Sequence, residues 1–307
     1  MASAIEGCYC TVPFQAKHLK QKHCMKCPDS DLPSPASAPI IQDGSKNEIA
    51  FSISIVSHGH SQLVISLLKD LSRLNRADME VILTWNLPTE IDYIDPKNYP
   101  FRLTSIRNTH SKGFASNHNA AFRYSTGKNF VILNPDIEIE NDPFNDMREI
   151  IEKYPDSVCA PRIVNAQNEL EDSARSFPTP LSLIKKVVAK AMRKKIPVEK
   201  LREYDGLLSP DWIAGMFMVI PRAVYEKLGG LDERYFLYYE DVHFCALARC
   251  NNIAVYVSKT ATATHHARRE SHRNFRFLNW HLKSALRFFT SKAYMTVCLR
   301  RMRACFS

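Results

Sequence analysis

The sequence predicts an α/β chain, a mostly parallel sheet flanked by helices, with a helical extension at the C-terminus. Three observations carry this. Short apolar, β-branched runs alternate with stretches whose apolar residues recur every three or four positions. The chain has 307 residues, 45% hydrophobic and 24% charged, enough for one large α/β domain with a sizeable core. Finally, Phe275, Leu278, Leu282, Leu286 and Phe289 fall on one face of a helix whose other face is basic.

The elements follow in order from about Ile49. AFSISIV (50–56) is a buried strand, Ser61–Leu74 a helix with Leu63, Leu67, Leu71 and Leu74 on one side, and MEVILTW (79–85) a second strand. FRLTSIR (101–107) is a third strand, Ala115–Tyr124 a helix, and NFVILN (129–134) a fourth strand that runs into Pro135-Asp136. Asp142–Tyr154 is helical and SVCAPRIV (157–164) is a strand. Beyond it the rhythm loosens. Leu181–Lys195 reads as a basic amphipathic helix, Trp212–Ile220 as one strand, Arg222–Leu228 and Asp241–Arg249 as helices, and Ile253–Val257 as a strand. Strand–helix alternation of this kind argues for a parallel sheet covered on both faces.

Residues 1–48 stand apart. Cys8, Cys10, Cys24 and Cys27 form a CxC…CxxC pattern, followed by a Pro/Ser-rich linker over 28–39. The cysteines could hold zinc through thiolates. Their loose spacing in a short segment favours a disordered extension. The organisation expected is therefore an extension over 1–48, a folded domain over 49–271 and a basic helical region over 272–307.

The net charge is +9. After Thr260 there are ten Lys and Arg against one acid, Glu270, so the tail alone matches the excess of the whole chain. Such a tail suits an anionic partner. No run of about 18 apolar residues occurs, which argues against a membrane-spanning helix. The start, MASAIEGCYC, lacks the basic and apolar blocks of a secretory signal, so a cytoplasmic location with free thiols is expected. The tail helix either lies on an anionic membrane with Phe275, Leu278 and Leu282 inserted, or packs on the folded domain. The first alternative puts the protein peripherally on the inner face of the membrane.

Candidate chemistry lies after strand ends, where open α/β sheets bind ligands. Asp136, in a rigid Asn134-Pro135-Asp136 turn, is placed to hold Mg²⁺ or Mn²⁺ against a diphosphate, or else caps the next segment. Glu240 and Asp241 open a helix, where acids are stabilised by the dipole and where one could serve as a general base. His265 and His266 end an apolar strand and could complete a metal site or touch phosphate. GxxxxGK[ST], GxGxxG and HExxH motifs are absent, which argues against nucleotide hydrolases, dehydrogenases and zinc proteases.

Taken together these segments resemble glycosyltransferase family 2, with its Rossmann-like GT-A fold, and most closely its bacterial rhamnosyltransferase-like branch. Lys112-Gly113-Phe114-Ala115-Ser116-Asn117-His118-Asn119 resembles the family's N-x-G-F-[AG]-x-[AG]-x-N loop. Leu133-Asn134-Pro135-Asp136 resembles its L-N-P-D acidic motif. Trp212-Ile213-Ala214-Gly215 and Gly229-Gly230-Leu231-Asp232-Glu233, continuing to Tyr239-Glu240-Asp241-Val242-His243, resemble its G-G-F-D-E and Y-x-E-D-x-D segments. His265-His266 and Ser271 resemble the residues that close the region.

The resemblance implies an inverting transfer of a sugar, rhamnose or another hexose, from a nucleotide-diphosphate sugar to the hydroxyl of a saccharide or lipid-linked saccharide, in cell-surface polysaccharide or glycolipid synthesis. Asp136 with His265 or His266 would bind a divalent cation, Mg²⁺ or Mn²⁺. Asp241 would be the base, with Glu240 positioning the acceptor. Trp212, Gly215, Asp232 and Glu233 would shape the acceptor side. Ser57, His58, Trp85, Asn86, Lys112, Gly113, Asn117 and Asn134 would form the donor side. There the sequence departs from the family: Thr84-Trp85-Asn86 replaces V-D-N and Ser57-His58-Gly59-His60 replaces T-Y-N. Trp85 either stacks on a base or fills the core. Lys112 replaces the first Asn of the glycine loop, and His243 stands where a second Asp is common. A sugar-nucleotide-binding scaffold without turnover is one alternative. A non-catalytic nucleic-acid binder is the other, and no nucleic-acid fold signature supports it, so no such partner is expected.

Overall fold

The computed structural model describes residues 48–90, 94–192, 199–266 and 275–306. The N-terminal cysteines, the Pro/Ser linker, the end of the expected basic helix at 193–195, Arg268-Arg269 and Ser271 lie outside the described residues. Strands β1 (Phe51–Ser57), β2 (Met79–Trp85), β3 (Arg102–Arg107) and β4 (Asn129–Leu133) are all parallel, in the spatial order β3-β2-β1-β4. Helix α1 (Ser61–Arg73) links β1 to β2, and α2 (Phe114–Phe122) links β3 to β4. After the short β5 (Ile137–Glu138) come α3 (Phe144–Lys153), β6 (Ser157–Val164), β7 (Ala174–Arg175) and α4 (Pro180–Ala191). The hairpin strands β8 (Arg202–Tyr204) and β9 (Leu207–Ser209) close the far edge, followed by β10 (Trp212–Ile213), β11 (Phe217–Pro221) and α5 (Arg222–Leu228). Last are α6 (Glu240–Cys250), β12 (Ala254–His265), α7 (Phe275–Phe289) and α8 (Lys292–Phe306).

The period of two along the strands divides the core between two faces. On β2 and β4, Ile82, Phe130 and Ile132 join Met218 and Phe244 under α2 and α6, while Val81, Leu83, Val131 and Leu133 pack under α1 and α3. Ala285 and Phe288 of α7 and Ala293 and Val297 of α8 are buried in the first of these clusters, so both tail helices dock on the folded domain. Between them, the Ser291 hydroxyl caps α8 by accepting from the Tyr294 N–H at 3.1 Å.

Two expectations need correction. The segment read as one strand, Trp212–Ile220, is two. β10 pairs with β7, the chain bends at Ala214–Met216, and β11 then runs antiparallel between β4 and β6. The bend is imposed by backbone bonds made outside any ladder: Ala214 N–H donates to Ser173 O at 2.7 Å, and Met216 O accepts from Asn134 N–H at 2.9 Å. Conversely, Ile253–Val257 and the strand ending in His265 are one long β12, with a register shift between Val257 and Thr262. The second tail helix, α8, has no counterpart in the elements expected from the sequence.

Candidate active site

The carboxyl ends of β1, β2 and β4 share one edge, since Ser57 registers with Trp85 and Ile55 with Leu133. β12 delivers His265 to the same edge by pairing with Ile137 of β5. There the His265 Nε2 lies 3.2 Å from Asp136 Oδ2, and its Nδ1 lies 2.7 Å from Glu171 Oε2. Burial disfavours a charged imidazole, but the two carboxylates outweigh it and raise His265 to about 9. The second oxygen of Asp136 is buried and has no partner among the described residues. An orphaned carboxylate oxygen of this kind calls for a ligand or ordered water. His266 goes elsewhere: its ring bonds Glu138 at 2.6 Å, while its backbone N–H donates to Asp136 O at 2.9 Å. The pairing of His266 with Asp136 as a side-chain ligand set is therefore corrected in favour of His265. Glu171, which orients His265, had no motif to announce it.

Asp241 meets the Ala214–Met216 bend at Gly215. Its Oδ2 accepts from Gly215 N–H at 3.0 Å and its Oδ1 from Val242 N–H at 2.7 Å. The adjacent Met216 is the residue bonded to Asn134, two positions before Asp136. One three-residue bend thus bonds both Asp241 and the turn that carries Asp136, and both acids keep partial exposure. A Cβ at Gly215 would stand 3.1 Å from the Phe114 ring and 3.6 Å from Asp241 Cβ, so glycine permits the approach. Burial pushes the Asp241 carboxyl up, against the two N–H donors that pull it down.

Glu240 is buried at 5% exposure, and its Oε2 has no partner among the described residues. Burial, reinforced by the Asp241 charge, pushes it well above the usual range. A carboxyl raised in the fold favours folding below its unfolded value near ~4 and loses that benefit as pH rises. Glu240→Gln is therefore expected to raise the melting temperature at pH 7, by about 2–4 °C for each kcal/mol relieved, with the gain fading near pH ~4. Thermal scans at the two pH values check this.

The helix bearing both acids starts from an unusual corner. Tyr238 and Tyr239 adopt φ of 71° and 69°, the left-handed region that side chains rarely occupy. Helix α7 holds this corner in place. His281 lies 5.4 Å from the Tyr238 ring and 5.3 Å from the Tyr239 ring, Phe288 lies 5.5 Å from Tyr239, and the Ser284 hydroxyl donates to Leu237 O at 3.0 Å.

The donor-side expectations divide. Trp85 is fully buried and its indole N–H donates to Ser105 Oγ at 3.0 Å, so it fills the core and does not stack on a base. Asn86 and Asn117 are also corrected as ligands. Asn86 Oδ1 accepts from Lys112 N–H at 2.8 Å and from Asn108 Nδ2 at 2.9 Å, while its amide donates to Lys112 O and contacts His58 Nδ1, each at 3.0 Å. Asn117 Oδ1 accepts from the same Asn108 amide at 2.7 Å. Three buried amides thus fasten the glycine loop to the ends of β2 and β3, with no polar valence of Asn86 left over. Ser57 is buried and donates to Glu90, whose carboxylate also accepts from Gly59 N–H at 3.1 Å and Ser61 Oγ at 3.0 Å. It shapes the β1–α1 turn from within. That leaves exposed His58, half-buried Lys112 and half-buried Asn134 as reachable groups on this edge. The Lys112 ammonium makes no ion pair among the described residues.

Gly113 serves by having no side chain. Phe114 N–H donates to Phe236 O at 2.9 Å, and a Cβ on Gly113 would meet that oxygen at 2.8 Å and Phe236 Cα at 3.0 Å. These are backbone atoms and cannot swing aside. Gly113→Ala is expected to cost about 1–3 kcal/mol and to lower the melting temperature, as a thermal scan would show.

On the acceptor side, Gly215 lies on Asp241 as described, and Trp212 is half-buried with its indole N–H on Ser176 O at 3.1 Å. Asp232 is occupied within its own loop, and Glu233 by a residue of α2. Asp232 accepts from Arg234 at 2.6–3.1 Å, which holds its carboxyl low despite burial, and Glu233 accepts from Asn119 at 2.9 Å. Asn119 also bonds Leu231 through both backbone groups and accepts from Tyr225 OH, so it locks the Gly229–Glu233 loop. Cavities of about 310 Å³ and 580 Å³ border this loop, and neither is lined by Asp136 or Asp241.

The mixed, mostly parallel sheet flanked by helices is the GT-A fold of glycosyltransferases. The chain belongs to glycosyl transferase family 2, whose model matches residues 52–228, more than half of its length. It is 26% identical over 264 residues to rhamnosyltransferase WbbL of Escherichia coli (strain K12), across 80% of this chain and 94% of the relative. It is 28% identical over 157 residues to the low-salt glycan biosynthesis hexosyltransferase Agl10 of Haloferax volcanii, across 50% of this chain and 48% of that one. Among solved structures, GalNAc-T7 with UDP, GalNAc and Mn²⁺ superposes with a TM-score of 0.54 at 17% identity, over 73% of this chain. That likeness shows the fold. The chain spans nearly all of WbbL, about half of Agl10 and 44% of the GalNAc-T7 chain.

Proposed function

We propose that the chain transfers a hexose or deoxyhexose, with rhamnose the first candidate, from a nucleotide-diphosphate sugar to an acceptor hydroxyl, inverting the anomeric carbon. The observation that carries this is that the Ala214–Met216 bend ties both acids to one place, Asp241 through Gly215 N–H and the Asn134-Pro135-Asp136 turn through Met216 O. The similarity to WbbL, named a rhamnosyltransferase, supports the sugar class.

The residues present fit a divalent cation. Asp136 offers a buried oxygen with no partner, and His265 directs Nε2 at the same carboxylate while Glu171 holds its other nitrogen. A carboxylate behind a histidine is a common support for a metal ligand. Among the described residues no three His, Cys, Asp or Glu side chains stand ready as a cage. Mg²⁺ and Mn²⁺ suit such a site, because hard cations of this kind are often held by one or two carboxylates and completed by substrate phosphates. Asp136 would hold the ion, joined by His265 once Nε2 gives up the proton that it now shares with Asp136, and when bound the ion supplies charge that stabilises the departing diphosphate.

Asp241 takes the proton of the acceptor hydroxyl as its oxygen attacks the anomeric carbon. The Gly215 and Val242 N–H groups fix the carboxylate plane, and its raised proton affinity makes it the better acceptor. Attack from the Asp241 side, opposite the diphosphate, inverts the centre. Glu240 is buried beside Asp241, with its proton affinity raised by burial and by the Asp241 charge.

Only ionised Asp241 can act, so kcat/KM is expected to fall as pH drops through a midpoint above the ordinary carboxylate range. A pH–rate profile with nucleotide-diphosphate hexoses and NMR assignment of the product anomer test the proposal together. Retention of configuration, or no transfer from any donor, contradicts it.

A further inference from the structure

The exposed large apolar side chains concentrate on the tail. Leu278, Leu282 and Leu286 of α7 are 54%, 60% and 68% exposed, and Met295, Leu299 and Met302 of α8 are each about half exposed. Their spacings of three and four place each set in one stripe. Helix α4 adds Ile184 and Val188. It starts beside the tail, since Phe177, just ahead of it, lies 6.3 Å from the Phe288 ring of α7 and 5.6 Å from the Arg301 guanidinium of α8.

The helices that carry these stripes bear charge of one sign, with Asp211 at their border paired to Arg301. Residues 180–191 and 275–306 contain no Asp or Glu, and Lys185, Lys283, Arg287, Lys292, Arg300 and Arg303 are exposed. This pattern selects among occupants. A second copy of the chain would bring the same positive charge and be repelled. The chain's own residues 1–47 carry five Lys against four acids and offer no complement. A nucleic acid would meet the cations but leave the apolar stripes in water. An anionic phospholipid surface satisfies both. No helix among the described residues is long and apolar enough to cross a membrane, so the fit is to the interface.

We propose that α7 and α8, with α4 beside them, dock this chain on the surface of an anionic phospholipid bilayer, with the leucine and methionine stripes inserted and the flanking Lys and Arg on the head groups. The inner edge of α7 is the one that holds the Tyr238-Tyr239 corner ahead of Glu240 and Asp241. Docking therefore sets the catalytic corner one helix away from the lipid. On the transferase reading above, on which this clause rests, the acceptor that fits is a lipid-linked saccharide.

The test is flotation of the full chain with vesicles of phosphatidylcholine alone and with about 30% phosphatidylglycerol, an anionic lipid. The chain is expected to float with the anionic vesicles only, and less so in high salt. The triple variant Leu278→Gln, Leu282→Gln, Leu286→Gln should lower partitioning at least about tenfold while leaving melting temperature and nucleoside-diphosphate binding unchanged. Failure of the wild type to float with anionic vesicles, equal flotation of the triple variant, or a solution dimer abolished by the same triple variant each overturns the proposal. Flotation needs no turnover, so it stands or falls separately from the roles of Asp136 and Asp241.

Discussion

Asp241→Asn is expected to lower kcat by about 10²–10⁴-fold, the usual worth of a positioned general base, while nucleoside-diphosphate binding persists. The substitution keeps the side-chain shape but removes the proton acceptor. It also has a structural cost. Asp241 accepts from Gly215 on one oxygen and from Val242 on the other, and an amide can accept only on one. One N–H then faces an NH₂ group, at a cost of about 1–3 kcal/mol. A thermal scan beside the kinetics separates this from the chemical loss, because activity measured well below the new melting temperature reports only the missing base. Full turnover in this variant would remove Asp241 from the mechanism.

Asp136→Asn acts at the other end of the reacting bond. It takes the charge from the oxygen that has no protein partner and breaks the pair with His265. Charge stabilisation by a bound cation is worth several kcal/mol, so turnover is expected to fall by at least about 10³-fold. Unlike Asp241→Asn, it should also abolish the dependence of donor binding on Mn²⁺. Glu171→Gln is the milder companion. By loosening His265 it should weaken the cation about 10–100-fold, the usual effect of removing a supporting carboxylate.

The acids that carry this account were legible because they follow strong local signals. Asp136 comes straight after Asn129–Leu133, and Asp241 opens a helix beyond a glycine-rich turn. The strand at Ser157–Val164 and the helix at Arg222–Leu228 were legible for the same reason, since short-range pattern sets them. What was illegible depends on contacts between distant segments. Trp85 ends a strand near the expected donor edge, but alternation along β2 turns its ring into the core. Asn86 and Asn117 look like ligands by composition and act as scaffold, because Asn108 happens to lie between them. Glu90 and Glu171 sit in loops with no period, and only the folded chain shows that one shapes the β1–α1 turn and the other aims His265. The bend at Ala214–Met216 was hidden inside a continuous apolar run, and it is where the two halves of the site meet.

The same limit applies to the tail. Its amphipathic period was readable, with membrane docking and packing on the domain left as alternatives. The structure shows packing along one edge of α7, where Ser284, Ala285 and Phe288 face the protein, and leaves Leu278, Leu282 and Leu286 exposed on the other, the edge proposed above to meet lipid.

Calorimetric titration of a nucleoside diphosphate, with and without Mn²⁺, into wild type, Asp136→Asn and Asp241→Asn tests the division of labour most directly. Wild type and Asp241→Asn are expected to bind tightly only when Mn²⁺ is present, and Asp136→Asn to bind weakly with or without it. Mn²⁺-dependent binding that survives intact in Asp136→Asn would contradict the assignment of that carboxylate, and with it the account of the site.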